Sequence, residues 1–100
     1  MNYPKKILVS DYFEIHNYYS EKYGKNRTII LMQVGSFHEC YCTDTDGLDL
    51  VTLSQSLDVV CTKKNGSLPL SKSNPRMMGF PIFVTQTFIN KLIDMNYTVI

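Results

Sequence analysis

Two residue types are missing from this chain of 100 residues, which contains neither alanine nor tryptophan. Long apolar runs are missing too, since no stretch approaches the roughly 20 apolar residues that a membrane-spanning helix needs. The first residues include no apolar segment long enough for a secretory signal peptide. Internal repeats and low-complexity segments are also lacking. We therefore expect an intracellular protein that makes no contact with a membrane.

The chain also lacks an excess of either positive or negative residues. The chain has 10 basic and 9 acidic residues and a formal net charge of +1. A domain that binds nucleic acid through charge alone is usually strongly basic, so any DNA affinity must come from local placement or from other domains. Hydrophobic residues make up 44% and charged residues 19%, which is typical of a folded domain. The length fits one small domain or a fragment of a larger protein.

Cysteine is sparse and occurs an odd number of times, at Cys40, Cys42 and Cys61. Without a secretory signal, this composition predicts free thiols in a reducing compartment. On a strand, His38, Cys40 and Cys42 would share one face, and Cys61 would complete a set of potential zinc ligands. The two sulfur atoms of Cys-x-Cys on a strand are about 6.5 Å apart, which is wide for one zinc ion. We expect the cysteines to pack inward as small hydrophobes, with a zinc or thiol module as the alternative function.

Hydrophobic periodicity predicts three helices. The first covers residues 11–23, after an N-terminal tail of residues 1–10, and Asp11 and Glu14 would form its capping box. The second carries Leu50, Leu53 and Leu57 on one face, and the polar stretch TDTDG before it could cap it. The third covers residues 84–95, and its apolar face contains Val84, Phe88, Leu92 and Met95.

Short apolar segments between these helices predict the strands. They cover residues 28–34, 37–42, 58–62, 77–80 and 97–100, and a polar loop fills residues 63–76. Strand 28–34 is nearly all apolar, which predicts burial on both of its faces. Helices alternating with strands in this order indicate an α/β fold. Because the last strand breaks off without a turn, we expect the domain to be truncated at its C-terminal end.

The strand at residues 37–42 has a second face, which carries Phe37, Glu39 and Tyr41. Phe37 follows a Val34-Gly35-Ser36 turn, where a ring is presented rather than buried. A core phenylalanine beside a solvated glutamate is the alternative that spacing alone leaves open. No nucleotide-binding loop and no catalytic constellation is present in the sequence.

The stretch ILMQVGSFHECY resembles the signature of the mismatch-recognition domain of the MutS family, an apolar strand followed by Gly-x-Phe-Tyr-Glu. The blocks LSQSLDVVCTKKN, RMMGFP and FINKLIDMNYTVI resemble the family's later blocks and occur in the same order, so the similarity covers residues 11–100. Ser36 stands where the family commonly has Asp and His38 where it has Tyr, while Phe37 and Glu39 match. The TDTDG insertion and SNPRMMGFP are similar to a MutS branch of large DNA viruses and some mitochondria.

The resemblance implies a mixed β-sheet flanked by helices and a domain that recognises mismatches without being an enzyme. Phe37 would insert into the minor groove at a mismatch, since an apolar side chain can unstack bases there and kink the duplex. Glu39 would contact the same base, and Gly35 would allow the turn that presents both residues. The remaining DNA contacts that we expect are Val34, Ser36, His38 and Met78, with phosphate contacts from Lys63, Lys64, Lys72 and Arg76.

For the complete protein, the resemblance implies an ATPase domain with ATP and magnesium beyond this chain, whereas the chain itself would hold no cofactor and no metal. The implied partners are mismatched double-stranded DNA and a second subunit, either identical or MutS-like. The protein would be found inside cells, with DNA. A MutS paralogue that binds branched or recombining DNA is the alternative within the family.

Overall fold

The computed structural model describes the backbone of residues 5–100 and the side chains of residues 9–100. Its elements confirm the α/β class. The helices are α1 (Lys5–Tyr23), α2 (Leu50–Leu57) and α3 (Thr85–Asp94), and a 3₁₀ turn (Ile82–Val84) precedes α3. The strands are β1 (Thr28–Ile29), β2 (Met32–Val34), β3 (Phe37–Cys42), β4 (Cys61–Lys63), β5 (Arg76–Pro81) and β6 (Thr98–Val99).

The strands form two sheets. Strands β1 and β6 pair in parallel, and β2, β3, β5 and β4 form an antiparallel sheet in that order. The mixture of strand directions agrees with the expectation, although the parallel and antiparallel pairs lie in separate sheets. Within residues 5–100, no helix combines the length and the apolar character that crossing a membrane requires.

The single strand predicted at residues 28–34 is wrong, because this segment contributes to both sheets. Thr28 pairs with Thr98 of β6, and the amide of Leu31 still donates to the carbonyl of Ile100 at 3.1 Å. From Met32 onward the chain pairs with β3 instead. The predicted burial on both faces holds only for the first part of residues 28–34, since Gln33 in β2 is exposed. An unbroken apolar composition does not reveal a change of strand partner.

Helix α1 begins at Lys5, so the predicted start at Asp11 is wrong. One face of the helix is buried from Val9 through Tyr12 and His16 to Ser20, at helical spacing. Val9 extends this face by one turn before Tyr12, and Asp11 lies in the interior of the helix rather than at its cap. Of the predicted tail, residues 1–4 lie outside the described residues, and residues 5–10 are helical.

Helix α2 agrees with the prediction, since Leu50, Leu53 and Leu57 are all buried. Its N-cap is Asp49, which follows the TDTDG stretch rather than belonging to it. The Asp49 carboxylate accepts hydrogen bonds from the Val51 and Thr52 amides at 3.1 and 3.3 Å. The Thr52 hydroxyl donates a further bond of 2.8 Å. Two amides at the start of the helix therefore find a partner that the helix itself does not supply.

We expect Asp49→Ala to lower the free energy of unfolding by about 1 kcal/mol at pH 7, because the cap is lost. The bonds from Thr52 lower the pKa of the Asp49 carboxyl. A folded-state pKa below the unfolded value, about 3.9, gives stability that is complete above that value and is lost as the pH falls through the folded pKa. Urea titrations of the wild type and variant should therefore converge toward pH 3. Asp49→Asn is the control, since it keeps the cap and lacks the pH dependence; equal stability of the Ala variant at pH 7 contradicts the assignment.

The remaining elements differ from the prediction mainly in their bounds. The strand expected at residues 58–62 begins only at Cys61, because Asp58 ends α2 with a left-handed backbone at φ 56°. In α3, Leu92 is buried and Phe88 stacks on Phe80 of β5 with 4.4 Å between ring centroids. Met95, expected on the same buried face, is exposed.

Candidate nucleic-acid interface

A tight hairpin joins β2 to β3. Gly35 and Ser36 form its two-residue turn between the paired residues Val34 and Phe37. Gly35 has φ +59° whereas Ser36 has no positive φ, and this is the pattern of a type II′ turn, which favours glycine at its first central position. The Ile82 amide donates to the Ser36 carbonyl at 2.9 Å, so the turn is bonded to the chain that follows β5. Phe37 is thus held beside a defined turn.

The antiparallel sheet has one face that helices cover at both ends, which we call the closed face. It carries His38, Cys40 and Cys42 of β3. At the Cys42 end, the backbone of Leu50 at the start of α2 lies close to the Cys42 thiol. At the other end, His38 Nδ1 lies 2.7 Å from the hydroxyl of Thr85, the first residue of α3.

The opposite face carries Phe37, Glu39 and Tyr41, and we call it the open face. Helix α1 covers it at the Tyr41 end, where the Tyr12 ring meets the Tyr41 ring edge-on at 5.0 Å. Toward the hairpin the cover ends: Glu39 is half-buried and Phe37 is 44% exposed. The open face therefore presents an aromatic ring and a carboxylate, two residues apart, at its accessible end.

The Glu39 carboxylate is bonded within its own strand. The Tyr41 hydroxyl donates to Glu39 Oε1 at 2.6 Å. Burial, followed by this bond and the negative charge of Glu39, raises the pKa of Tyr41 well above its usual value, so the hydroxyl keeps its proton. Across the sheet, Glu39 faces Gly79 of β5. A Cβ atom on Gly79 would lie 2.9 Å from the His38 carbonyl oxygen and 3.3 Å from Glu39 Cγ.

Among the predicted phosphate contacts, Lys64 lies on the open face, with its ammonium 5.0 Å from the centre of the Tyr41 ring. Lys63 and Arg76 pair with each other across β4 and β5, and Arg76 also pairs with Cys42, which places both on the closed face. Arg76 stands five residues along β5 from Pro81, the partner of Phe37, or roughly 17 Å. The structure does not bring these two cations to the aromatic ring.

Two of the predicted cations already have carboxylate partners. Arg76 Nη1 lies 2.8 Å from Asp44, and this bond raises the pKa of the guanidinium. The ammonium of Lys72 lies 3.6 Å from Asp46. A phosphate would have to compete with these acids at both positions.

Two further predicted contacts lie on the closed face of the sheet. Met78 is fully buried and lies between Cys40 and Cys61 in the sheet, so it has no surface for a duplex to contact. His38 lies on the closed face and bonds to Thr85, away from Phe37. Alternation along the strands places both residues on the covered side of the sheet.

Two of the three cysteines pack inward as predicted, since Cys40 and Cys42 are buried, whereas Cys61 is half-buried. Burial, and then the neighbouring Cys61 and Cys42, raises the pKa of Cys40, and its thiol lies 3.5 Å from the Met78 carbonyl as a donor. Within the part of the chain that the structure describes, no three His, Cys, Asp or Glu side chains come close enough together to hold a metal ion. Cys40 and Cys42 therefore contribute to the core beneath the closed face.

The sequence interpretation missed two exposed apolar residues and one hydrogen bond. Ile82 and Phe83 follow Pro81, and Phe83 is 85% exposed beside the hairpin that carries Phe37. An apolar run directly after a strand-ending proline was the available signal. The bond from Tyr41 to Glu39 was also missed, although their spacing of two residues on a strand places them on one face.

Comparison with known proteins gives two findings. The model of the family described as MutS domain I matches residues 11–100. The DNA mismatch repair protein MutS of Chlorobium chlorochromatii (strain CaD3) is 28% identical over 92 residues. That alignment covers 92% of this chain and 8% of the relative, so the chain spans less than a tenth of the relative's length.

Proposed function

Because this chain belongs to the MutS domain I family, we propose that it recognises mismatches and small loops in double-stranded DNA. In this proposal Phe37 inserts into the minor groove and Glu39 contacts the displaced base. The observation that carries it is the open face, where an exposed ring at the hairpin stands two residues from a half-buried carboxylate.

The ring supplies recognition that does not depend on sequence. Inserting an apolar side chain unstacks a base step and kinks the duplex, at an expense of a few kcal/mol. A mismatched step is already poorly stacked and deforms more readily than a paired one, so the insertion is less costly there. The exposed Ile82 and Phe83 beside the hairpin enlarge the apolar surface that a widened minor groove could meet.

The carboxylate supplies discrimination rather than affinity. The minor groove of paired DNA presents mainly acceptor atoms, with the guanine amino group as the exception. A carboxylate held there lacks a donor and is repelled by the phosphates. A displaced base can offer an N–H group to it, so Glu39 would penalise paired DNA more than mismatched DNA.

We propose further that the chain is one domain of a longer MutS protein inside cells, which acts on DNA as a dimer and uses ATP with magnesium in another domain. The near-neutral charge of the chain supports a contribution of other domains to DNA binding. By itself the chain should bind DNA in the non-specific range of about 10⁻⁴–10⁻⁶ M or more weakly. Other domains would supply most of the contacts to the phosphates.

The proposal is tested by titrating the full-length protein against three labelled DNAs of equal length. One is fully paired, one carries a single mismatch and one is a four-way junction, and anisotropy reports binding at a fixed salt concentration. We expect the mismatch to bind tighter than the paired duplex and tighter than the junction. Equal affinity for mismatched and paired DNA contradicts the proposal, and tightest binding to the junction indicates a paralogue for branched DNA.

We expect Glu39→Ala to reduce the preference for mismatched DNA while binding to paired DNA stays equal or becomes tighter. The reason is that the variant removes a negative charge that meets acceptors and phosphates in paired DNA. Glu39→Gln isolates the contribution of the charge, because it keeps an acceptor for the Tyr41 hydroxyl; it should bind paired DNA as the Ala variant does. Weaker binding of the Ala variant to the paired duplex would count against this role.

A further inference from the structure

The side chain of Glu39 is held at one of its two oxygens. The Tyr41 hydroxyl donates to Oε1 at 2.6 Å, the usual length for a hydroxyl bonded to a carboxylate. Within the described residues, Oε2 makes no hydrogen bond. The carboxylate is therefore held at Oε1, while Oε2 stays unbonded among the described residues.

The Tyr41 side chain is itself held in place by its neighbours, so the hydroxyl that bonds to Glu39 has a fixed position. Its side chain is fully buried. The Tyr12 ring packs against it edge-on at 5.0 Å, and the Tyr12 hydroxyl in turn donates to the Ile30 carbonyl at 3.0 Å. The Lys64 ammonium lies over the ring at 5.0 Å. The hydroxyl that holds Glu39 thus belongs to the packed contact between α1 and the antiparallel sheet.

The neighbouring strand leaves room for this arrangement. Gly79 stands opposite Glu39, and a Cβ atom at Gly79 would come within 3.3 Å of Glu39 Cγ. On one side Glu39 therefore lies against the main chain of Gly79, which has no side chain. Along its own strand it is bonded to Tyr41.

We propose that Tyr41 is a positioning residue for mismatch recognition, whose hydroxyl orients the Glu39 carboxylate so that its free oxygen meets the base beside Phe37. This inference rests on the proposed function. A long acidic side chain that must be ordered during binding weakens the complex, whereas one that is already ordered does not. Tyr41 would act through Glu39 and would not touch the DNA itself.

Tyr41→Phe removes the hydroxyl and keeps the buried ring, so it separates positioning from packing. In the full-length protein we expect it to lower the preference for mismatched over paired DNA by about 2- to 12-fold, the range for ordering one flexible side chain on binding. In a Glu39→Ala background the same substitution should change the preference no further. An equal loss in both backgrounds, or no loss with Tyr41→Phe alone while Glu39→Ala has an effect, overturns the proposal.

A second measurement needs no DNA and keeps the positioning claim testable if mismatch recognition itself fails. Three-bond NMR couplings of this chain report the χ1 and χ2 rotamers of Glu39. We expect a single rotamer in the wild type and averaged couplings in Tyr41→Phe, with an unchanged urea midpoint as evidence that the fold is intact. Unchanged couplings in the variant refute the positioning role. If Phe37→Ala instead leaves the mismatch preference unchanged, that result counts against the proposed function alone.

Discussion

Phe37→Ala is expected to reduce the preference of the full-length protein for a mismatched over a paired duplex by about 5- to 150-fold, because base–aromatic stacking is worth roughly 1–3 kcal/mol. The loss should fall on the mismatched complex, since only there does the ring replace lost stacking. Binding to paired DNA depends on phosphate contacts elsewhere and should change little. The measurement is an anisotropy titration with both duplexes at one salt concentration.

Tyr18→Ala provides the matched control for this prediction. Tyr18 is also an exposed aromatic residue, at 62%, but it lies on α1 rather than at the hairpin. Its replacement should leave the preference for mismatched DNA unchanged. If Phe37→Ala behaves like Tyr18→Ala, the assignment of Phe37 as the inserted residue is wrong, whatever the overall affinity for DNA.

Gly79→Ala is expected to lower the free energy of unfolding of this chain by about 1–3 kcal/mol, the usual range for adding a methyl group to a well-packed site. The added Cβ would lie 2.9 Å from the His38 carbonyl oxygen, which belongs to the backbone and cannot rotate away. Strand β3 must shift to make room, and Glu39 would shift with it. We therefore expect a reduced mismatch preference along with the loss of stability in urea titrations.

Gly66→Ala is the corresponding control. A Cβ at Gly66 would have no atom within 4 Å, and the substitution restricts the unfolded chain, so stability should stay equal or rise by up to about 1 kcal/mol. If Gly79→Ala is tolerated as well as Gly66→Ala, the strand opposite Glu39 has more room than the structure indicates.

The parts of the fold that follow from local pattern were predictable from the sequence. Leu50, Leu53 and Leu57 repeat at helical spacing and are buried in α2 as expected. The alternation in FHECYC correctly separated a face with His38 and the cysteines from a face with Phe37 and Glu39. A period of two on a strand is enough for such a division, because the pleat fixes it.

The parts that depend on distant partners could not be predicted in this way. The run of residues 28–34 is uniformly apolar, and its division between two sheets is decided by β6, which comes some 70 residues later. Likewise, Met78 and Arg76 resemble candidate contacts in the linear sequence, but pairing with β3 turns both toward the closed face. The bond between Tyr41 and Glu39 needs the rotamers of both side chains, which spacing alone does not specify.

The central claim, that Phe37 enters the duplex at a mismatch, is tested most directly by a fluorescent base. A 2-aminopurine placed next to the mismatch brightens when its stacking on the neighbouring base is lost. At saturating full-length protein we predict a rise in fluorescence with the wild type, no rise with Phe37→Ala, and no rise on a paired duplex with either protein. An equal rise with Phe37→Ala on the mismatched duplex would contradict the account, because the base would then be unstacked without the ring.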